Sequence, residues 1–380
     1  MKPLSSLISN MKPSGIREFF NYASERPEVT SLGVGEPDFT TPKAIIDAAK
    51  ASLDDGRTFY TSNQGLPELR DRISKYLSNR FNVNYAPDEM ILTAGSSQGI
   101  LAALMAIINP GDEVIVTEPT YICYIPDIEM CGGKAVVIPL KEENNFKLTK
   151  EELESHITSK TKAVFLSFPN NPTGAIMTKE ELESIAPLIL KNDLYVISDE
   201  IYAELTYGKK HCSIASLPGF KERTILINGF SKAFAMTGWR LGYVCAPKDV
   251  LDQILKIQQY IMLSAPTMAQ YGAIAALDYC MKDVEYMVSE YNRRREYLLS
   301  SFKELGIQCF DAEGAFYLFP SIKKFNLSSR EFCLKLLQDF DVLVVPGTAF
   351  GDSGEGYIRI SYAAGMNKLE RLIEVLKMLK

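Results

Sequence analysis

Histidine is scarce in this chain: only His156 and His211 occur in 380 residues. Two imidazoles so far apart do not make a histidine-rich metal site, so no metal is expected and both are placed at the surface. Cysteine is present but unpatterned. Cys123, Cys131, Cys212, Cys245, Cys280, Cys309 and Cys333 include no CxxC pair, and an odd number argues against a disulfide framework, so a reducing cytoplasm is expected. Long apolar runs are missing too. The longest, 100–108, falls well short of the roughly 20 residues of a spanning helix and reads as a buried one. The opening Met1-Lys2-Pro3-Leu4-Ser5-Ser6 has no continuous hydrophobic segment followed by a small-residue cleavage site, so no secretory signal is expected. Charge is not blocked: 41 basic and 47 acidic side chains give a net −6 spread along the chain. That distribution disfavours a nucleic-acid or anionic-membrane surface, and a small-molecule partner is expected.

With 46% hydrophobic residues the chain can bury a large core, and its length suggests two structural units. Strand-like runs at 90–93, 113–117, 135–138, 162–167, 194–198, 224–228 and 241–246 alternate with helical stretches or turns, the pattern of an α/β sheet. Two of the helices open with capping boxes, Thr149 with Glu152 and Thr178 with Glu181. Pro187 is expected to bend or interrupt the second. From about Asp283 the pattern changes to a long amphipathic helix, 283–305, followed by strands at 315–319, 342–345 and 357–361 and helices at 328–339 and 366–379. This tail reads as a smaller α+β unit. No internal repeat, low-complexity tract or flexible linker separates the two, which are expected to pack closely.

The chemistry-bearing residues fall at strand ends, where open α/β sheets collect ligands. Asp199 closes the run Leu194-Tyr195-Val196-Ile197-Ser198-Asp199, and Lys232 follows the next strand in Ser231-Lys232-Ala233-Phe234-Ala235-Met236-Thr237-Gly238-Trp239-Arg240. A lysine amine for a Schiff base, a hydroxyl and a guanidinium for a phosphate, and a carboxylate for a pyridine nitrogen are together what pyridoxal phosphate requires. Each group also has a plainer reading. Asp199 could serve a nearby helix, although Tyr202 at i+3 weakens that, and Ser231–Arg240 could be an exposed loop whose arginine covers Trp239. Phe168-Pro169-Asn170-Asn171-Pro172-Thr173-Gly174 could be only a tight turn, or one that fixes the Asn171 amide against a cofactor oxygen. Gly95-Ser96-Ser97-Gln98-Gly99 is either an ordinary strand-to-helix turn or a phosphate cup at a helix N-terminus. Arg359, in Tyr357-Ile358-Arg359-Ile360-Ser361, is either an edge-strand surface charge or a two-point clamp for a substrate carboxylate.

The chain resembles the class I pyridoxal-phosphate aminotransferases of the prokaryotic aspartate and aromatic type along nearly its whole length. The motifs stand in that family's order: Gly35-Glu36-Pro37-Asp38-Phe39, Tyr60 ahead of Gly65-Leu66-Pro67-Glu68-Leu69-Arg70, Gly95-Ser96-Ser97-Gln98, Asn171-Pro172-Thr173-Gly174, Ser198-Asp199-Glu200-Ile201-Tyr202, Ser231-Lys232, Gly238-Trp239-Arg240-Leu241-Gly242 and Arg359-Ile360-Ser361. The resemblance implies fold type I. A mainly parallel seven-stranded sheet would form a large domain, 46–285, and residues 1–45 with 286–380 a small α+β domain. It implies a homodimer with shared active sites. By motif match Lys232 is the Schiff-base lysine, Asp199 the partner of the pyridine nitrogen, and Asn171 and Tyr202 donors to the cofactor phenolate. Tyr121, in Pro119-Thr120-Tyr121, stacks on the ring. Ser96, Ser97, Gln98, Ser231 and Arg240 form the phosphate cup, reached by Tyr60 from the other subunit, while Gly35, Asn171 and Arg359 hold the substrate.

The implied reaction moves the amino group of an L-amino acid to a 2-oxo acid such as 2-oxoglutarate by ping-pong kinetics, with broad donor use expected. A carbon–sulfur β-lyase of the same fold is the main alternative, because fold alone does not choose the reaction. A non-catalytic ligand-binding regulator would need a fused DNA-binding region, and no segment is left over for one. A nicotinamide dehydrogenase is weaker still, since Gly33-Val34-Gly35 continues as Glu36-Pro37 without a third glycine. No second cationic anchor for a side-chain carboxylate can be assigned. Arg17 lies in a segment that closes over the site in relatives, with a surface role equally open.

Overall fold

A computed structural model of the chain describes residues 2–11, 15 and 28–379. Its centre is a seven-stranded sheet of β2 (Met90–Thr93), β3 (Glu113–Glu118), β4 (Lys134–Pro139), β5 (Thr161–Ser167), β6 (Tyr195–Asp199), β7 (Thr224–Gly229) and β8 (Gly242–Cys245), in the order β2-β8-β7-β6-β5-β3-β4. The pairs β3–β4, β3–β5, β5–β6 and β6–β7 are parallel, and β8 alone runs against both of its neighbours. The β-rich runs form strands because each is covered on both faces, as parallel sheets require. Side chains alternate between two apolar layers. Ala163 and Phe165 of β5 and Ile197 of β6 face the layer made with helices Ser96–Ile107 and Lys248–Ile261, while Val164, Leu166 and Val196 face the layer made with Lys179–Lys191.

Strand direction places the functional groups. The carboxyl ends of β2, β3, β5, β6 and β7 point the same way, and the reversed β8 begins at that edge, so Arg240, just ahead of it, joins residues that follow the other strands. Gly242 makes the junction possible. It pairs with Thr93 on one side and Gly229 on the other, and a Cβ there would lie 2.7 Å from Ser96 N, 2.8 Å from the Gly95 carbonyl carbon and 3.0 Å from Asn228 O.

The second body of structure contains β9 (Tyr317–Leu318), β10 (Val342–Leu343), β11 (Val345–Pro346) and β12 (Ile358–Ser361), with helices Met281–Glu304, Ser329–Phe340 and Met366–Met378. β12 is the middle strand of β11-β12-β9. Its residues are buried throughout, which removes the edge-strand reading of Arg359. The N-terminal β1 (Thr30–Ser31) pairs in parallel with β10, and Leu32 both donates to Leu343 O and accepts from Ser361 N, each at 2.8 Å. This tether carries Gly33–Gly35 to the site.

Both predicted capping boxes form, on Thr149 and Thr178, each with its hydroxyl satisfying an amide that has no partner inside the helix. Two expectations need correction. Of the bend or interruption expected at Pro187 the interruption does not occur, and helix Lys179–Lys191 continues through it. Pro187 and Glu183, four residues earlier, are exposed, so water can satisfy the carbonyl whose intrahelical bond is lost, while Leu182, Ile185, Leu188 and Ile189 hold the opposite face in the core. His211 is not a surface residue: its side chain is 4% exposed and lies 2.8 Å from the buried Glu200 carboxylate, which also accepts from Ser198 and Ser213. A carboxylate taken out of water needs such partners.

Because the Gly242 clash involves backbone atoms, no rotamer can relieve it. Gly242→Ala is expected to cost about 1–3 kcal/mol, measured as a lowered midpoint of chemical unfolding; an unchanged midpoint would show that the β2–β8–β7 junction has slack.

Candidate active site

One cavity of about 910 Å³ opens at the strand ends, lined by Gly35, Ser96, Ser97, Tyr121, Asn171, Asp199, Tyr202, Ser231, Lys232, Arg240 and Arg359 among others. Eleven of the thirteen residues expected from the sequence thus converge. Gln98 and Tyr60 do not line it. Gln98 turns its carbonyl to Ala94 N at 2.6 Å, and its amide nitrogen is buried without a partner among the described residues. Tyr60 points away from the packed interior and is 81% exposed. Arg17 lies outside the described residues.

Asp199 is at the floor. It is the last residue of β6 and almost fully buried. Oδ2 accepts from the Tyr124 hydroxyl at 2.7 Å and Oδ1 from Ile201 N at 3.1 Å. Burial raises its carboxyl to about 6, against the lowering effect of those hydrogen bonds. Such a group gains when a cationic donor is brought beside it. Lys232 follows β7, and its Nζ donates to Gly35 O at 2.6 Å. Burial first, and then the Arg359 charge, lowers its amine to about 8, so it gives up its proton more readily than a solvated lysine, as nucleophilic use of a lysine requires.

A turn with free backbone amides lies at the start of helix Ser96–Ile107, beside Arg240. Gly95 precedes the helix with φ +81°, and a Cβ there would overlap Nη2 of Arg240. Glycine therefore lets the guanidinium lie against the turn whose free amides carry the positive end of the helix, next to the Ser96 and Ser97 side chains. Arg240 itself is held in the left-handed region, φ +53°, with Nη1 donating to Thr237 O at 2.9 Å. Trp239 Nε1 donates to Thr41 Oγ1 at 3.0 Å.

On the opposite wall Arg359 is 3% exposed. Nη1 donates to Asn171 Oδ1 at 3.0 Å and Nη2 to Gly33 O, while its buried Nε has no partner among the described residues. A guanidinium held by neutral acceptors in a cavity carries an unmatched charge, which suits an anionic guest.

Sequence reasoning missed Tyr124, Tyr317, Glu36 and Thr237, all of which line the cavity. Tyr124 was within reach of a periodicity argument: it stands three residues after Tyr121, and the rings meet edge to face at 5.6 Å. Tyr317 sits inside the expected strand 315–319, but its partner Tyr202, 2.7 Å away, is 115 positions distant.

A carboxylate, a desolvated lysine and a helix start beside an arginine meet in this cavity at the carboxyl ends of the strands. The model of the family "Aminotransferase class I and II" matches residues 27–376, and the chain belongs to that family. Similar proteins include an aspartate aminotransferase of Pyrococcus abyssi, 44% identical over 98% of this chain and 96% of its own length. An aromatic-amino-acid aminotransferase 2 of Thermococcus litoralis is 43% identical over the same shares. The solved structure of Thermus thermophilus aspartate aminotransferase with maleate superposes with a TM-score of 0.96 at 35% identity, covering all of both chains. The chain is an aminotransferase. Among its described residues no helix is long and apolar enough to cross a membrane.

The lowered lysine can be measured without any ligand. In apoprotein, modification of Lys232 by a small neutral amine reagent, followed by peptide mapping, is expected to reach half its maximal rate near pH 8, and Arg359→Gln is expected to move that midpoint upward by removing a neighbouring cation. A midpoint near that of a solvated lysine in both proteins would contradict the desolvated site.

Proposed function

We propose that this chain transfers the amino group of an L-amino acid to a 2-oxo acid using pyridoxal phosphate, with Lys232, Asp199 and Tyr202 as catalytic residues. The observation that carries the reading is the convergence in one cavity of a buried carboxylate, a buried lysine amine and two separate arginines, Arg240 and Arg359. The residues fit the cofactor. The turn at Gly95 has room for a guanidinium beside a helix N-terminus, and Asp199 has a pKa raised by burial that a cationic ring nitrogen would relieve.

Pyridoxal phosphate, when bound, supplies an electron sink for the pair left behind as the α-hydrogen departs. Ser96, Ser97, Ser231 and Arg240 would hold its phosphate, joined by Gln98 only through its backbone amide because its side chain turns to Ala94, with Tyr121 on its ring face and Asn171 and Tyr202 at its phenolic oxygen. Asp199 would hold the proton on the pyridine nitrogen, a role in which a fixed carboxylate stabilises positive charge without reorganising. Lys232 Nζ would hold the cofactor's aldehyde carbon and, freed when the donor's amine takes its place, would accept the α-proton and deliver it to that carbon. Gly35, Asn171 and Arg359 fix the substrate carboxylate, so that the proton to be moved faces Lys232. The same residues act in reverse on the acceptor, which gives ping-pong kinetics.

The proposal extends to assembly. Phe59 and Tyr60 are 82% and 81% exposed and Tyr260 is 92% exposed, the kind of apolar surface that marks an interface. A homodimer would bring Tyr60 of the partner subunit to the phosphate cup. Residues 46–285 would form the cofactor-binding domain and 1–45 with 286–380 the small domain, as the β1–β10 pairing supports. Relatives named for aspartate and for aromatic amino acids support broad donor use, and the proposal takes 2-oxoglutarate as acceptor and the cytoplasm as the setting.

A panel of amino donors and 2-oxo acids tests the reading. The purified protein is expected to be yellow, to change its absorption on adding donor, and to convert donor to 2-oxo acid only with an acceptor present. Arg359→Lys should raise KM for every donor by roughly tenfold or more, because an ammonium cannot reproduce a two-point contact. Pyruvate and ammonia released without an acceptor would replace transamination with β-elimination.

A further inference from the structure

Tyr317 is buried on β9, beside Arg359, yet its hydroxyl lies 2.7 Å from that of Tyr202 in the turn after β6. Both residues line the cavity that holds Lys232. Either oxygen can donate in this pair, but a phenol carries one proton. If Tyr202 gives its proton to the phenolic oxygen of a cofactor, its own oxygen is left to accept, and Tyr317 is the hydroxyl in reach. A chain of this kind strengthens each bond in it. Two more contacts fix the Tyr317 ring. The Arg359 guanidinium carbon lies 4.5 Å from its centroid, a cation–π contact, and on its far side Gly35 leaves space that a Cβ would close, since any side chain there would overlap the Tyr317 hydroxyl. Gly35 O is in turn the acceptor for Lys232 Nζ at 2.6 Å.

Resting on the pyridoxal phosphate reading, we propose that Tyr317 is a positioning residue: its hydroxyl commits the Tyr202 proton to the cofactor's phenolic oxygen, and its ring braces Arg359 for the substrate carboxylate. One side chain then couples the group that tunes the cofactor to the group that orients the donor. The two functions separate by substitution, because Phe keeps the ring and loses the hydroxyl.

The test is a pH titration of the visible absorption of the holoenzyme, with steady-state kinetics, for wild type, Tyr317→Phe, Tyr317→Leu, Tyr202→Phe and the double Phe variant. Hydrogen bonds to the phenolic oxygen favour the less protonated form of the chromophore, so weakening them raises its midpoint. Tyr317→Phe is expected to raise that midpoint by about half a unit and to lower kcat about three- to tenfold, the size of one neutral hydrogen bond. Donor KM should stay within about twofold, as the ring still covers Arg359. Tyr317→Leu should in addition raise KM for all donors. In the Tyr202→Phe background, removing the Tyr317 hydroxyl should change neither midpoint nor kcat further, since it acts through Tyr202. Tyr317→3-fluorotyrosine keeps the shape, donates more strongly and should move the midpoint downward. An unshifted midpoint in Tyr317→Phe, or an equal loss with and without the Tyr202 hydroxyl, would overturn the proposal. A wild-type protein with no pH-dependent visible band would instead remove the cofactor reading beneath it.

Discussion

A carboxylate held out of water at the end of β6 is the constraint to which the rest of the site answers. Asp199 is kept there with Tyr124 and the Ile201 amide satisfying it, and even so burial raises its carboxyl pKa to about 6. Unrelieved, that arrangement costs stability. It becomes useful when a cationic partner arrives, because the dipoles are already in place and nothing must reorganise. Lys232 is the mirror case: an amine whose charge is disfavoured by the same dry cavity and by Arg359. Two groups that would be ordinary in water are thus moved toward each other in acidity by burial, the usual mark of a working site.

The sheet makes this arrangement rigid. Asp199, Asn171 and Lys232 follow three adjacent parallel strands, and the reversed β8 adds Arg240 from the same edge. Glycines at 95 and 242 allow the close approach of backbone to guanidinium and to the helix start. The proposed substrate side comes from elsewhere in the chain, with Arg359 on β12 and Gly35 delivered by the β1–β10 pairing. Tyr317 spans the division through its contacts with Tyr202 and Arg359.

Much of this was legible in the sequence, for identifiable reasons. The seven strands of the large sheet were found because each is a short run rich in apolar and β-branched residues, bounded by turn residues. Asp199 and Lys232 stood out because strand ends are where α/β sheets collect ligands. The errors have causes as well. Pro187 does not interrupt its helix, because the bond it removes is on the exposed face. His211 was placed at the surface because nothing near it in sequence revealed the buried Glu200 it partners. The Tyr202–Tyr317 contact joins residues 115 positions apart across separate sheets, and no local pattern encodes such a pairing.

The central claim is that the desolvated amine at the end of β7 carries the cofactor. Borohydride reduction of the holoenzyme, followed by mass-spectrometric mapping of all peptides, measures this directly. The account predicts one modified residue, Lys232, with the cofactor mass attached and the visible band lost on reduction. Attachment at another lysine, or a cofactor that remains removable after reduction, would contradict it.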